Sequence, residues 1–304
     1  MEYKKGTELE GGGIRIPQTG NHKTTIDDIR MKKATGNRIT MITSYDYCMA
    51  KICDMANVDI ILVGDSAATV MMGYETTRSI TMEEMLIFCK AVKNGTRRAL
   101  IVGDMPFGSY QSGSENAISN AIRFIQSGCD AVKIEGGIEI IDFVKRLSEL
   151  GIPVMGHIGL MPQTSSIKHG FSLRGGTAEE AMKLIREAKT LEEAGAFSIV
   201  LEKVTSEVAR IISSKSEIPI IGIASGVLLD GQVLVLQDLL GLYTDFRPRF
   251  VKKYLNLSEI ITNAVTAYGN DVRSGRFPSE AHTFHMEKLQ QEHLMKLLST
   301  NGTA

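Results

Sequence analysis

Six short stretches in this chain place polar side chains directly after apolar runs: Ser44-Tyr45-Asp46, Gly64-Asp65-Ser66, Gly103-Asp104, Lys133-Ile134-Glu135, Gly156-His157 and Glu202. Asp65, Asp104 and Glu135 are hard oxygen donors. That set suits Mg²⁺, which takes a few carboxylates and keeps positions open for water or substrate. Zinc would favour His or Cys, and only His157 is at hand. A Mg²⁺ ion can chelate a 2-oxo acid through its carboxylate and keto oxygens and acidify the adjacent C–H. Lys133 would then neutralise the substrate carboxylate or the developing enolate. Glu202 stands apart from the metal carboxylates in sequence and is the free candidate for a general base. The chemistry read from these residues is metal-assisted enolisation, with bond making or breaking beside a carbonyl. A single Asp after a strand is usually a helix N-cap, and a single Glu is usually solvated. Six such positions at one end of one fold are harder to explain structurally.

The frame that must position them is a regular alternation. Apolar, β-branched runs lie at 39–43, 60–63, 99–102, 131–134, 153–155, 198–201, 218–221 and 233–236. Between most of them the spacing is helical: Met82, Met85, Leu86, Cys89 and Val92; Ala117, Ile118, Ala121, Ile122 and Ile125; Ala181, Leu184, Ile185, Ala188 and Leu191. Gly95, Gly128, Gly151 and Gly195 fall where helices should end. Strands apolar throughout and alternating with helices imply a parallel sheet covered on both faces. Eight such units predict an α/β fold, a (β/α)8 TIM barrel, whose strand ends face one pocket. A doubly wound open sheet is the alternative, but no glycine-rich phosphate fingerprint follows the first strand. Thr25 and Asp28 form an N-cap signal for a short helix ending near Gly36. The expected organisation is a polar N-terminal arm over 1–24, a barrel over 25–274, including an amphipathic helix at 255–268, and a polar C-terminal tail over 275–304.

With 43% hydrophobic and 23% charged residues, the 304-residue chain has globular rather than disordered composition. A net charge of -1 gives no electrostatic reason to expect nucleic acid. No apolar run approaches the roughly 18 residues of a membrane span. Residues 1–13 have no apolar stretch and carry acids, unlike a secretory signal or transit peptide. Cys48, Cys53, Cys89 and Cys129 form no CxxC pair and read as buried, reduced thiols, which points to the cytoplasm. His282 and His285 read as part of a solvated tail.

The motifs Thr43-Ser44-Tyr45-Asp46-Tyr47, Leu62-Val63-Gly64-Asp65-Ser66, Gly103-Asp104-Met105-Pro106-Phe107-Gly108-Ser109-Tyr110, Val132-Lys133-Ile134-Glu135-Gly136-Gly137, Gly156-His157-Ile158-Gly159-Leu160-Met161-Pro162-Gln163 and Asp230-Gly231-Gln232 resemble those of the ketopantoate hydroxymethyltransferase family. The resemblance runs from about residue 25 to 284 and places the chain near the phosphoenolpyruvate mutase/isocitrate lyase barrels. It implies transfer of a hydroxymethyl group from 5,10-methylenetetrahydrofolate to 3-methyl-2-oxobutanoate, giving 2-dehydropantoate for pantothenate and coenzyme A synthesis. It implies Mg²⁺ on Asp65, Asp104 and Glu135, and substrate contacts from Asp65, Ser66, Asp104 and Lys133. Glu202 matches the proton acceptor; Tyr45 and His157 would support these groups from behind. It also implies a homo-oligomer. Two other readings share these residues: a related Mg²⁺-dependent aldolase or C–C lyase acting on another 2-oxo acid, and a barrel without catalysis. The family's Gly-Asp-Ser-Leu-Gly-Met appears here as Gly64-Asp65-Ser66-Ala67-Ala68-Thr69, and its Gly-Ile-Gly-Ala-Gly as Gly222-Ile223-Ala224-Ser225-Gly226. The usual Leu-Glu-Cys-Val-Pro reads Leu201-Glu202-Lys203-Val204-Thr205, and the 169–175 loop departs as well. Ala68 and Ala224, each in place of a glycine, are expected to add a methyl at the pocket rim.

Overall fold

Eight parallel strands carry the apolar runs: β1 (Ile39–Thr43), β2 (Ile60–Val63), β3 (Leu100–Asp104), β4 (Ala131–Glu135), β5 (Val154–Gly159), β6 (Ser198–Glu202), β7 (Ile220–Ile223) and β8 (Gly231–Leu234). They pair in sequence order, and β8 pairs with β1 through Ile39 and Gly231, closing a barrel. The computed structural model describes residues 22–164, 172–245 and 248–300. The expected arm over 1–24, except residues 22–24, and residues 169–171 of the 169–175 loop lie outside the described residues. The chain divides into two compact units, the first ending at Tyr254 and the second beginning at Leu255.

Strand alternation sorts the side chains. Ile39, Met41, Ile60, Leu62, Leu100, Val102, Ala131, Met155, Val200, Ile221 and Val233 form one buried cluster inside the barrel. Their neighbours, such as Ile61, Val63, Ile101, Val132, Ile134, Val154, Ile199 and Leu201, form a second cluster with the surrounding helices. Following the inward series along each strand leads from Val102 to Asp104, from Ala131 to Lys133 and Glu135, from Met155 to His157, and from Val200 to Glu202. The same period that fills the interior with hydrocarbon therefore delivers the polar groups to its C-terminal end. Several of them are the last residues of strands rather than residues following them, because β3 to β6 extend further than the apolar runs.

The helices around the first unit are α1 (Ile26–Ala34), α2 (Tyr47–Met55), α3 (Ala67–Val70), α4 (Met82–Gly95), α5 (Ser114–Gln126), α6 (Ile141–Glu149), α7 (Ala178–Glu193), α8 (Ser206–Lys215) and α9 (Leu236–Leu240). The expected stripe of α4 is buried at Met85, Leu86, Cys89 and Val92, behind a Thr81/Glu84 capping box. The face of α5 differs from expectation: Phe124 and Asn120 are buried with Ala117 and Ala121, whereas Ile122 is 40% exposed. Gly103 explains this, since a Cβ there would collide with the Phe124 ring. Strands β7 and β8 are joined by a loop, 224–230, without an intervening helix.

Helix α1 seals the N-terminal end of the barrel. Thr25 and Asp28 form the expected capping box, and Ile29 enters the inner cluster. Lys23, Lys32 and Lys33 pair with Asp130, Asp59 and Asp230, each at 2.7 Å. Of the cysteines, Cys53, Cys89 and Cys129 are buried, but Cys48 is exposed. It sits one residue into α2, on the side away from Ala50 and Cys53, so the expectation of four buried thiols is corrected there.

The second unit contains α10 (Leu257–Arg273) and α11 (Lys288–Thr300). On α10, Ile260, Ile261, Val265, Tyr268 and Val272 are all exposed. His282 bonds Ser279 and His285 pairs with Glu280, so each has its own partner. No described helix is long and apolar enough to cross a membrane.

Candidate active site

At the C-terminal end of the barrel a cavity of about 190 Å³ is lined by Asp65, Ser66, Asp104, Lys133, His157 and Glu202, among others. A larger cavity of about 640 Å³ lies outside β1 and β8; it is almost wholly apolar and contains none of these groups.

The buried charges form a chain of contacts. Asp104, fully buried, accepts a hydrogen bond from the Asp65 backbone N–H at 3.0 Å through Oδ2. Its Oδ1 lies 2.8 Å from Lys133 Nζ. Lys133 Nζ is also 3.2 Å from His157 Nδ1. The same His157 nitrogen lies 3.3 Å from Glu135 Oε1, and His157 Nε2 lies 3.4 Å from Glu202 Oε2. One imidazole thus spans two carboxylates. Glu202, with its side chain 19% exposed, is the most exposed member of the chain. Glu135 does not line the cavity; it stands behind His157, 1% exposed. The Tyr45 hydroxyl lies 2.8 Å from Ser66 Oγ, so it supports Ser66 from the buried side.

Burial pushes the Asp65 carboxyl up to about 6, with the Glu135 charge adding to the shift and Lys133 opposing it. Burial likewise pushes Asp104 to about 6, although Lys133 works against it. Burial opposes protonation of Lys133, but Asp104, Glu135 and Asp65 outweigh it and hold the ammonium well above its ordinary value. For His157, burial and Lys133 oppose protonation; its contacts with Glu135 and Glu202 overcome both and raise it to about 9. The site is therefore a partly compensated cluster in which two cations sit among four carboxylates.

Asp65 Oδ2 is buried without a hydrogen-bond partner, while Asp104 Oδ1 faces the Lys133 ammonium and Glu135 Oε1 faces His157. A buried acceptor left unpaired is costly, and a hard cation would satisfy it. Among the described residues, however, no three His, Cys, Asp or Glu side chains form a group that could hold one ion. Donor chemistry and burial therefore fit Mg²⁺ best where the protein supplies one or two carboxylates and water or substrate supplies the rest.

Other residues fall elsewhere. Asp46 accepts from the Met49 N–H and caps α2. Asp230 pairs with Lys33 and accepts from the Ile220 N–H, at the opposite end of the barrel. Ala68 is fully buried in the outer core and does not line the cavity, which corrects the expectation that its methyl reaches the rim. Ala224 does not line that cavity either; it borders a separate surface pocket, and Phe250 lines both.

Two supporting residues were given no role in the sequence reading. Gln163 is fully buried; its N–H donates to Glu135 Oε2 at 3.0 Å and its amide donates to the Met105 carbonyl. The Tyr110 hydroxyl lies within bonding distance of the Glu135 carbonyl and Gln163 Oε1. Both stand in the quoted motifs, but nothing in their spacing shows that two loops meet over Glu135.

A family model described as ketopantoate hydroxymethyltransferase matches residues 23–280. A 3-methyl-2-oxobutanoate hydroxymethyltransferase of Nitrosopumilus maritimus is 49% identical, covering 93% of this chain and 100% of the relative. One from Chlorobaculum tepidum is 52% identical over 90% of this chain and 98% of the relative. Among solved structures, a phosphoenolpyruvate phosphomutase from Streptomyces platensis aligns with TM-score 0.56 at 13% identity, covering 91% of this chain and 97% of that one. A 2,3-dimethylmalate lyase of the PEP mutase/isocitrate lyase superfamily aligns at 0.54 and 15%, covering 91% and 97%. Those two likenesses concern the fold.

Proposed function

The chain belongs to the ketopantoate hydroxymethyltransferase family, and from that premise we propose how its barrel-top residues transfer a hydroxymethyl group from 5,10-methylenetetrahydrofolate to 3-methyl-2-oxobutanoate. Asp65 and Asp104 would hold Mg²⁺, with Glu135 acting from behind. Bound there, the ion would supply Lewis acidity toward the 2-oxo acid. Lys133 meets the negative charge of the acid and of the enolate that develops from it. Ser66, held by Tyr45, and the Asp65 and Asp104 backbone region orient the acid. Glu202 takes the proton from C3. His157, protonated through ordinary pH, fixes the Glu202 carboxylate at the cavity and keeps the local charge balanced. Hydrolysis of the two C–N bonds that hold the methylene in 5,10-methylenetetrahydrofolate consumes one water and frees the one-carbon unit as formaldehyde, leaving tetrahydrofolate. The nucleophilic C3 adds to the formaldehyde carbon, and the formaldehyde oxygen takes the proton to become the new hydroxyl.

The observation that supports this reading most is the cavity. At about 190 Å³ it is well below the roughly 300–1,000 Å³ of sites that enclose drug-sized ligands, so it suits a short 2-oxo acid while the folate stays outside it. Of Asp65, Asp104, Glu135 and Glu202, Glu202 is the most exposed. The test is an assay with 3-methyl-2-oxobutanoate, methylenetetrahydrofolate and Mg²⁺. 2-Dehydropantoate should form, and its absence with C–C cleavage of another 2-oxo acid would favour the lyase reading.

We further propose a cytoplasmic homo-oligomer. The free thiols support the compartment, and the exposed apolar face of α10 supports association. A single monomeric species in sedimentation would contradict the second part.

A further inference from the structure

The geometry points to Ser225 as a positioning residue that holds Glu202 at the cavity against two strained turns. Glu202 ends β6, and the next residue, Lys203, turns at φ 54°. β7 ends at Ile223, and Ala224 turns at φ 55°. Both are left-handed positions occupied by residues with a Cβ, so each turn persists only if its surroundings hold it.

Ser225 supplies that hold. It is 2% exposed. Its Oγ donates to the Leu201 carbonyl at 2.8 Å, with the Ile223 carbonyl also in range at 3.1 Å. The same oxygen accepts from the Val204 N–H at 3.1 Å. One hydroxyl therefore fastens the residue before Glu202 and the residue after Lys203 to the end of the neighbouring strand. Backbone bonds complete the frame: Leu160 N–H to the Glu202 carbonyl, Lys203 N–H to the Ile223 carbonyl, and Arg174 N–H to the Lys203 carbonyl. Of these braces, Ser225 is the one a point substitution can remove.

Without the hydroxyl, the buried Val204 N–H loses its acceptor. The turn can then relax, and Glu202 leaves its place 3.4 Å from His157. The family pattern Gly-Ile-Gly-Ala-Gly has a glycine at the turn and no hydroxyl after it. Here Ala224 makes the turn harder and Ser225 ties it down, so the two departures act as a compensating pair. The inference rests on Glu202 being the base.

The test is deuterium uptake at C3 of 3-methyl-2-oxobutanoate with Mg²⁺ and no folate, measured for the parent, Ser225→Ala, Ser225→Ala with Ala224→Gly, and Glu202→Gln. Ser225→Ala should slow exchange by about tenfold to a hundredfold, the scale of a small misplacement of a reacting group. Its KM for the oxo acid should stay within about twofold, since binding groups are untouched. The double variant should recover part of the loss, because glycine relieves the Ala224 turn while the Lys203 turn and the Val204 N–H stay without the hydroxyl. A merely structural role would lower the melting temperature and leave exchange per folded molecule unchanged. Parent-like exchange in Ser225→Ala, or a double variant no faster than the single one, overturns the inference. Parent-like exchange in Glu202→Gln would overturn the base assignment itself. If Ser225→Ala does not fold, Ser225→Cys, with its weak S–H donor, takes its place; the same fall is expected and parent-like exchange overturns the inference.

Discussion

Asp104 accepts from the Asp65 backbone and pairs with Lys133 while fully enclosed, so its charge depends on Lys133. Lys133→Met would leave Asp104 and Glu135 without their nearest ammonium. Breaking a buried pair in this way costs about 3–5 kcal/mol. The pH dependence has a definite sign. Asp65 and Asp104 have folded values near 6, above their ordinary 3.8. They take protons in the fold more readily than in the unfolded chain, so the charge that must be compensated fades as pH falls through about 6. Lys133 holds both carboxyls down, so Lys133→Met would raise them further, and its deficit, measured by urea unfolding, should be largest at alkaline pH and shrink as pH falls toward about 6. Mg²⁺ binding, followed calorimetrically, should weaken as pH falls through about 6, with proton release on binding. Asp104→Ala or Asp65→Ala should fold and lose activity; full turnover by Asp104→Ala in metal-stripped buffer would contradict the metal assignment. His157 runs the other way. Its folded value is raised to about 9 from 6.5. Its stabilising contribution is complete below 6.5 and disappears as pH rises through about 9.

The elements that position these groups were legible because the chemistry rides on the strand period. Val102 faces the barrel interior, so Asp104 must; Val200 does, so Glu202 must. The Thr25/Asp28 cap was equally plain, since a capping box is a local pattern. Contacts between distant loops were not legible. Gln163 and Tyr110 reach Glu135 from loops far apart in sequence, and no periodicity encodes that meeting. The burial of Ala68 in the outer core and of Phe124 over Gly103 also depends on packing between elements. α1 offers a test at this scale. Ile29 is fully buried against the inner cluster, and Ile29→Ala should cost about 2–5 kcal/mol with an intact active site. A stability loss under about 1 kcal/mol would mean α1 does not seal the barrel.

The molecule as a whole uses one barrel for two tasks. Its lower interior is hydrocarbon, closed by α1 and three lysine–aspartate pairs. Its upper interior is a charge cluster whose imbalance toward carboxylate a divalent cation would correct. The relatives are named for a 3-methyl-2-oxobutanoate substrate, and the base we propose for it is Glu202. Glu202→Gln keeps the shape of the side chain and removes its basicity. The most direct measurement is NMR of C3 proton exchange in 3-methyl-2-oxobutanoate, in deuterated buffer with Mg²⁺, comparing this variant with the parent. The variant should bind Mg²⁺ and the oxo acid nearly as the parent does and lose exchange by about 10²–10⁴, the range a positioned base contributes. Exchange at the parent rate in Glu202→Gln would contradict the account.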